Sequence, residues 1–244
     1  MKKSITYIIP LIFALCIFVS CEKDNYDAPE ATIQGKILDH NGNLLQTEQG
    51  NGNMRIKMEE LSWAGDDESI AITPQYLNMR QDGTYINTKW FAGEYRMTPV
   101  EGAFYSYKTE GESVQIKGIS TQDFTVIPYL DIEWVKEPVL TPDNFIEASV
   151  RFKRNAKEGV NMPNLNNAIL CVATTQYCGN NNKDGQLFNG TQKITNDQEG
   201  TVIDFKTSMA VKYTNTTYWV RVGICCDDTY KKYNYTDIKT VKVP

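Results

Sequence analysis

Thr32-Ile33-Gln34-Gly35-Lys36-Ile37-Leu38 alternates along its length and runs directly into Asp39-His40-Asn41-Gly42. A period of two puts Ile33, Gly35 and Ile37 on one side of an extended chain. Asn-Gly straight after such a strand signals a hairpin, because both residues tolerate positive φ. The same grammar recurs downstream. Residues 54–61 alternate with Met54, Ile56, Met58 and Leu61 as the apolar members, after a Gly- and Asn-rich loop at 46–53. Residues 76–79 form a short strand closed by Gln81-Asp82-Gly83, and 84–87 restart it. Phe91-Ala92-Gly93-Glu94 turns the chain into 95–99, and 114–117 and 124–128 complete the set. About seven short strands with regularly spaced turns predict a β-sandwich.

The second half reads the same way. Residues 130–135 alternate, and Pro138-Val139-Leu140-Thr141-Pro142 is expected to break the strand. Residues 145–152 alternate, 168–177 are a nearly continuous β-favouring run, and 179–190 are a long polar loop. Strands are expected at 201–205, 218–224 and 235–243. The chain holds 14 Tyr, and long Ala/Leu/Glu/Lys-rich stretches are absent. The expected class is all-β, with two consecutive sandwiches over 31–128 and 129–244.

The N-terminus carries an address. Lys2 and Lys3 precede an apolar run over 5–19, then Phe18-Val19-Ser20-Cys21. A basic start, a short apolar core and a small residue before the cleavage point describe a secretory leader over 1–20. The run is short for a span, which takes ~20 residues. Cys after a small residue is the bacterial lipoprotein pattern, so Cys21 is expected to be acylated and to begin the mature chain. Residues 21–30 read as a tether. Its Glu22-Lys23-Asp24-Asn25 is similar to the surface-export signal of lipoproteins in gut-type Gram-negative glycan foragers. That likeness implies the cell-surface face of the outer membrane.

Removing Lys2 and Lys3 with the leader takes the formal charge from −5 to −7. Such a balance argues against a nucleic-acid partner and against electrostatic docking to anionic lipid. Cys171, Cys178, Cys225 and Cys226 remain after Cys21. An exported chain permits disulfides, and the residues leave free thiols or one disulfide open. Adjacent Cys225 and Cys226 would point to opposite faces of a strand. No Cys-x-x-Cys pair with a nearby His marks a zinc site.

Catalytic motifs are thin. The single His, His40, falls in a predicted turn, and a nucleophile–base pair needs a held base. No Gly-x-Ser-x-Gly elbow occurs. Acid pairs for glycoside hydrolysis can be drawn from Glu59, Glu60, Asp66, Asp67, Glu68, Glu101, Glu133, Asp227 and Asp228, but acidic loops ordinarily serve solvation. Asn180-Asn181-Asn182-Lys183-Asp184-Gly185 echoes the start of a calcium loop, yet Thr191 stands where the bidentate Glu belongs, so an Asn/Gly turn is the plainer reading. No catalytic residue, metal or cofactor is assigned. Exposed aromatics remain, because sugars stack their C–H faces on them. The candidates are Trp63, Trp90, Tyr105 and Tyr107 in the first half, and Tyr230, Tyr233 and Tyr235, with Tyr177, in the second. Trp63 leads, because it enters an acidic loop at 64–69. Trp134 and Trp219 sit in strands and are expected to be at least half-buried.

Residues 35–39, Asp82-Gly83-Thr84-Tyr85 and Ala92-Gly93-Glu94-Tyr95-Arg96-Met97 together resemble the carboxypeptidase-regulatory-like, transthyretin-like fold over about 30–128. Trp134, Tyr218-Trp219-Val220-Arg221-Val222-Gly223 and 236–244 resemble a fibronectin type III-like domain, from which the loop at 179–190 departs. The mature chain as a whole resembles an uncharacterised two-domain lipoprotein family that accompanies starch-utilisation-type outer-membrane uptake systems. Glu48-Gln49-Gly50, Pro99-Val100-Glu101-Gly102, Asn180-Asn181-Asn182 and Lys231-Lys232-Tyr233-Asn234-Tyr235-Thr236 carry that likeness. It implies a setting rather than a reaction: a polysaccharide ligand, uptake proteins as partners and the outer membrane through the lipid. The expectation is therefore a non-catalytic glycan-binding or scaffolding lipoprotein. A protein-interaction module is the alternative, and a glycoside hydrolase is the third reading.

Overall fold

β1 (Ala31–Leu38) organises the N-terminal half, and its alternation is the one expected, with Ile33 and Ile37 fully buried. A computed structural model describes residues 28–64, 67 and 69–244. The leader, Cys21, the start of the tether and the side chain of Trp63 lie outside the described residues. β1 pairs antiparallel with β4 (Thr84–Trp90) and parallel with β7 (Ile119–Thr121) and β8 (Phe124–Thr125). Gly35 is required there. A Cβ on it would lie 1.8 Å from the carbonyl oxygen of Gln122, which crosses over the strand and accepts the Tyr85 hydroxyl. The hairpin after β1 is tight: the Asp39 N–H donates to the Asn43 carbonyl at 2.8 Å, and the Asp39 carboxylate accepts the N–H groups of Asn41 and Asn43.

A second sheet has the order β3-β2-β5-β6, from Gln75–Asn78, Arg55–Glu60, Gly93–Val100 and Glu112–Ile116. A single helical turn, α1 (Leu61–Ala64), follows β2. Ile56, Met58, Tyr95, Met97 and Ile116 of this sheet meet Ile33, Ile37, Tyr85 and Phe124 of the first in one apolar core.

The C-terminal half repeats the plan. Its smaller sheet has the order β13-β10-β9, from Ile203–Lys206, Ile146–Arg154 and Leu130–Leu140. The break expected at Pro138 is absent: β9 runs through it, with the ring buried. β9 is an edge strand, so a missing N–H removes no ladder bond. The register also slips there, since Lys136 pairs with Ser149 but Val139 with Glu147. A bulge thus absorbs the proline. The larger sheet has the order β12-β11-β14-β15, from Gln192–Lys193, Leu165–Ala173, Thr216–Cys226 and Tyr233–Tyr235, with β16 (Lys239–Val243) also on β14. The single strand expected over 235–243 is split in two, because Thr236 turns inward and its hydroxyl accepts the Val222 N–H.

β14 is buried on both faces. Tyr218, Val220, Val222, Ile224 and Cys226 enter the main core with Ile146, Val150 and Phe152. Arg221, Gly223 and Cys225 point the other way, on the side of Ile169 and Cys171. The extended segment 103–105 serves both cores: Phe104 enters the first, Ala103 and Tyr105 the second. All sheets keep to one half or the other among the described residues.

The four described cysteines are free and buried. Burial pushes Cys178, Cys225 and Cys226 from 9.0 up to about 12, and Cys171 well above its ordinary value. An unfolded chain would ionise these thiols near 9, so between those values the folded chain holds more protons. Stability is then fully present below about pH 9 and falls as pH rises from there toward 12. Urea midpoints measured from pH 7.5 to 11 are expected to hold and then decline. Separately, Gly35→Val should cost about 1–3 kcal/mol by forcing the 122 segment off the strand, read as a lowered urea midpoint.

Candidate functional site

The outer face of β11 and β14 is where the halves meet. Arg221, with no exposed surface, donates from Nη1 to the Thr47 carbonyl at 2.7 Å, and its guanidinium lies 3.7 Å from the Tyr235 ring centroid. The Tyr235 hydroxyl donates to Glu48 Oε2 at 2.9 Å and accepts the Asn180 N–H at 3.2 Å. Glu48, also buried, takes the Asn181 N–H on its other oxygen. Two bare glycines make room. A Cβ on Gly223 would lie 2.6 Å from the Tyr235 ring, and one on Gly179 would lie 2.7 Å from Arg221 Nη2. Neighbouring stitches are Asn234 Nδ2 to the Ala103 carbonyl at 2.8 Å and Lys232 Nζ to the Gly52 carbonyl at 2.6 Å.

The polar loop after β11 folds back over this face, with Cys178 and Leu187 buried. Its calcium-like spacing resolves into a turn centred on a lysine. Lys183 Nζ donates to the Asn180 carbonyl at 2.6 Å and to Asn180 Oδ1 at 2.9 Å, and sits 4.5 Å from the Phe188 ring centroid. The Asp184 carboxylate accepts the Gln186 and Leu187 N–H groups. An ammonium thus stands beside the oxygens that a metal would have used. Among the described residues no group of three or more His, Cys, Asp or Glu is placed to hold a metal ion.

Beside this junction opens a cleft of about 470 Å³. The turn after β1 forms one wall through Asp39, Asn41, Asn43, Leu44 and Gln46. Pro128, Leu130, Asp131 and Ile132 form the other, and Leu45, Asn234, Tyr235 and Asp237 complete the lining. His40 Nε2 reaches across to within 3.8 Å of Asp131 Oδ2. Asp131 Oδ1 accepts Asn155 Nδ2 at 2.9 Å, and Asp237 Oδ1 accepts the Trp134 indole N–H at 2.7 Å. The cleft offers carboxylates and amides around a partly apolar wall.

Several aromatics expected as platforms are placed elsewhere. Trp90 is 7% exposed, because it ends β4 on the core side, with its ring 6.0 Å from that of Tyr95. Tyr105 is 4% exposed, because the alternation of 103–105 carries it into the second core; its hydroxyl donates to the Asn155 carbonyl. Tyr235 is 6% exposed and committed to Arg221 and Glu48. Trp90 and Tyr105 present no ring face to solvent, and that expectation is corrected for them; Tyr235 borders the cleft but is held by the junction rather than free as a platform. Tyr107 is half-buried, edge-on to Phe124, with its hydroxyl on Glu112. Tyr233 is half-buried, bonded to Asn167 Oδ1 at 2.8 Å and packed against Tyr235. Tyr230 and Tyr177 are exposed and line no part of the cleft. Trp134 is half-buried, at the cleft's edge through Asp237. Asp39, Asp131, Asn234 and Asp237 were not singled out by the sequence reading. The available signal lay in the polar turn around His40 and in the segment 231–236, which the junction brings together.

A family model described as the N-terminal domain of DUF3823, a protein of unknown function, matches residues 31–127. Several solved structures are similar over 88% of this chain and all of their own length. A DUF3823 family protein from Bacteroides uniformis ATCC 8492 has 23% identity and a TM-score of 0.73. One from Parabacteroides merdae ATCC 43184 has 20% identity and a TM-score of 0.68. A third, from Bacteroides uniformis ATCC 8492, is described as a conjectural carbohydrate binding protein, with 23% identity and a TM-score of 0.68. At such identities the likeness concerns the fold. None of the curated proteins matches.

Tyr235→Phe tests the junction. It removes one donor from a buried carboxylate and an acceptor from the Asn180 N–H, and should cost about 1–3 kcal/mol in urea unfolding.

Proposed function

We propose that this protein is a non-catalytic, glycan-binding lipoprotein of the outer-membrane surface, holding a polysaccharide in the cleft between its two sandwiches. The observation that carries this is the cleft's lining. Asp39, Asp131 and Asp237 supply acceptors, while Asn41, Asn43 and Gln46 supply amides that both donate and accept. Sugar hydroxyls need that mixture. Leu44 and Ile132 provide apolar surface for the C–H faces. A similar structure described as a conjectural carbohydrate binder supports the reading. The leader and Cys21 support membrane anchoring, and the likeness to uptake-associated lipoproteins supports a place beside a glycan transporter.

One observation favours a protein-interaction role in the same setting. Ile119 is 77% exposed on the outer face of the first sheet, which also carries exposed Ile86. Their strand partners Thr32 and Gln34 lie two residues apart on β1, so both isoleucines share one face. A surface-bound partner would cover it.

Affinity electrophoresis of the chain from residue 22 through gels cast with plant, host and microbial polysaccharides decides between the roles. The glycan reading expects retardation by one or more polymers. The pair Asn41→Ala and Gln46→Ala should then weaken binding about tenfold, or about 1.4 kcal/mol, with unchanged thermal unfolding. Tyr230→Ala, outside the cleft, should bind normally. Retardation that survives the cleft variants would move the site elsewhere, and none at all would favour the interaction role.

A further inference from the structure

We infer that the cleft selects glycans without acidic groups and turns away uronic-acid and sulfated polysaccharides. The inference rests on the glycan-binding reading and concerns the same cleft. Its ionisable lining residues are Asp39, Asp131 and Asp237, and among the described residues no Lys or Arg lines it. The charges around each acid differ. Asp237 is balanced by Lys239, whose Nζ lies 3.1 Å from Oδ2 and also bridges to Glu137. Asp39 is held only by neutral groups: the N–H groups of Asn41 and Asn43 on Oδ1 and the Asn43 side-chain amide on Oδ2. Asp131 meets the Asn155 amide and, 3.8 Å away, His40. Two carboxylates of the cleft thus lack a lysine or arginine partner.

Hydrogen-bond chemistry points the same way as charge. A carboxylate accepts and does not donate. The acids of the lining can therefore take further hydrogen bonds only from donors, which the ring hydroxyls and hydroxymethyl groups of a neutral sugar supply. A ligand carboxylate or sulfate would bring acceptors to acceptors inside a recess that screens charge less than open water does. The cleft would reject it by repulsion between like charges.

The test uses the chain from residue 22 and matched polymers. Each neutral polysaccharide of the panel is paired with its own C6-oxidised form, in which hydroxymethyl groups have become carboxylates; natural polygalacturonate, alginate and chondroitin sulfate are included. A neutral polymer is expected to bind, and its oxidised form to bind at least tenfold more weakly at 20 mM NaCl. The gap should narrow at 500 mM NaCl. The double variant Asp39→Asn and Asp131→Asn should regain at least threefold for the oxidised form, with its fold checked by thermal unfolding. Binding of an acidic polymer as tight as its neutral partner, or tighter, overturns the selection rule while leaving the cleft a glycan site. So does an oxidised form that stays weak in the double variant and in high salt, since shape would then be the cause. Failure of every polymer to bind removes the glycan reading itself, and this rule with it.

Discussion

A guanidinium with no exposed surface must be matched where it lies, because stripping its water costs several kcal/mol. Arg221 is matched in part, by the Thr47 carbonyl at Nη1 and by the face of Tyr235, while its buried Nε has no partner among the described residues. Tyr235 in turn holds Glu48, and Glu48 holds the loop at Asn181. The partners come from both halves of the chain. Separating the halves would break the Arg221–Thr47 and Tyr235–Glu48 hydrogen bonds that join them. That constraint holds two sandwiches at one relative position, and the cleft walls, one from each half, inherit their spacing from it. Tyr235 belongs to the network and to the cleft lining alike.

The interface is built on a sheet face that the C-terminal half covers with its own loop and the N-terminal half reaches through Thr47 and Glu48. β14 carries the main core on one side and, on the other, a smaller apolar cluster around Ile169, Cys171 and Cys178 beside Arg221. Glycine at 223 lets two tyrosines lie flat over the strand, and glycine at 179 lets the loop close over Arg221. Within the loop, Lys183 ties the turn by donating to the carbonyl and side-chain oxygen of Asn180. Segment 103–105 adds a second seam, sending alternate side chains to the two cores. Burial on both sides also accounts for the four quiet thiols, two of which sit in the layer beneath the network.

The cleft is polar and negatively charged, in a chain that is itself acidic. Stacking platforms, which aromatic content had suggested, are mostly spent on packing: Trp90, Tyr105 and Tyr235 are interior. The cleft is lined instead by short polar side chains on a turn and on strand ends. The surface isoleucines of the first sheet lie outside this chemistry.

Strand-level structure was legible because it is local. Alternation sends side chains to opposite faces wherever a chain is extended, so β1, β2, β10 and β14 could be read residue by residue. Turn chemistry was local too, as at Asn41-Gly42. Pro138 was misread because a proline's cost depends on whether its strand lies at an edge, and that is a property of the sheet. The aromatics were misplaced for a related reason: alternation tells which residues share a face, not which face is covered. By itself, the sequence determined an all-β chain and its strand periodicity. The tertiary structure alone decided that Glu48, Arg221 and Tyr235 meet, that Asp39 and Asp131 face one another across a cleft, and that a lysine centres the Asn-rich loop. Those contacts join residues far apart in the chain, and nothing in local sequence records a distance that folding creates.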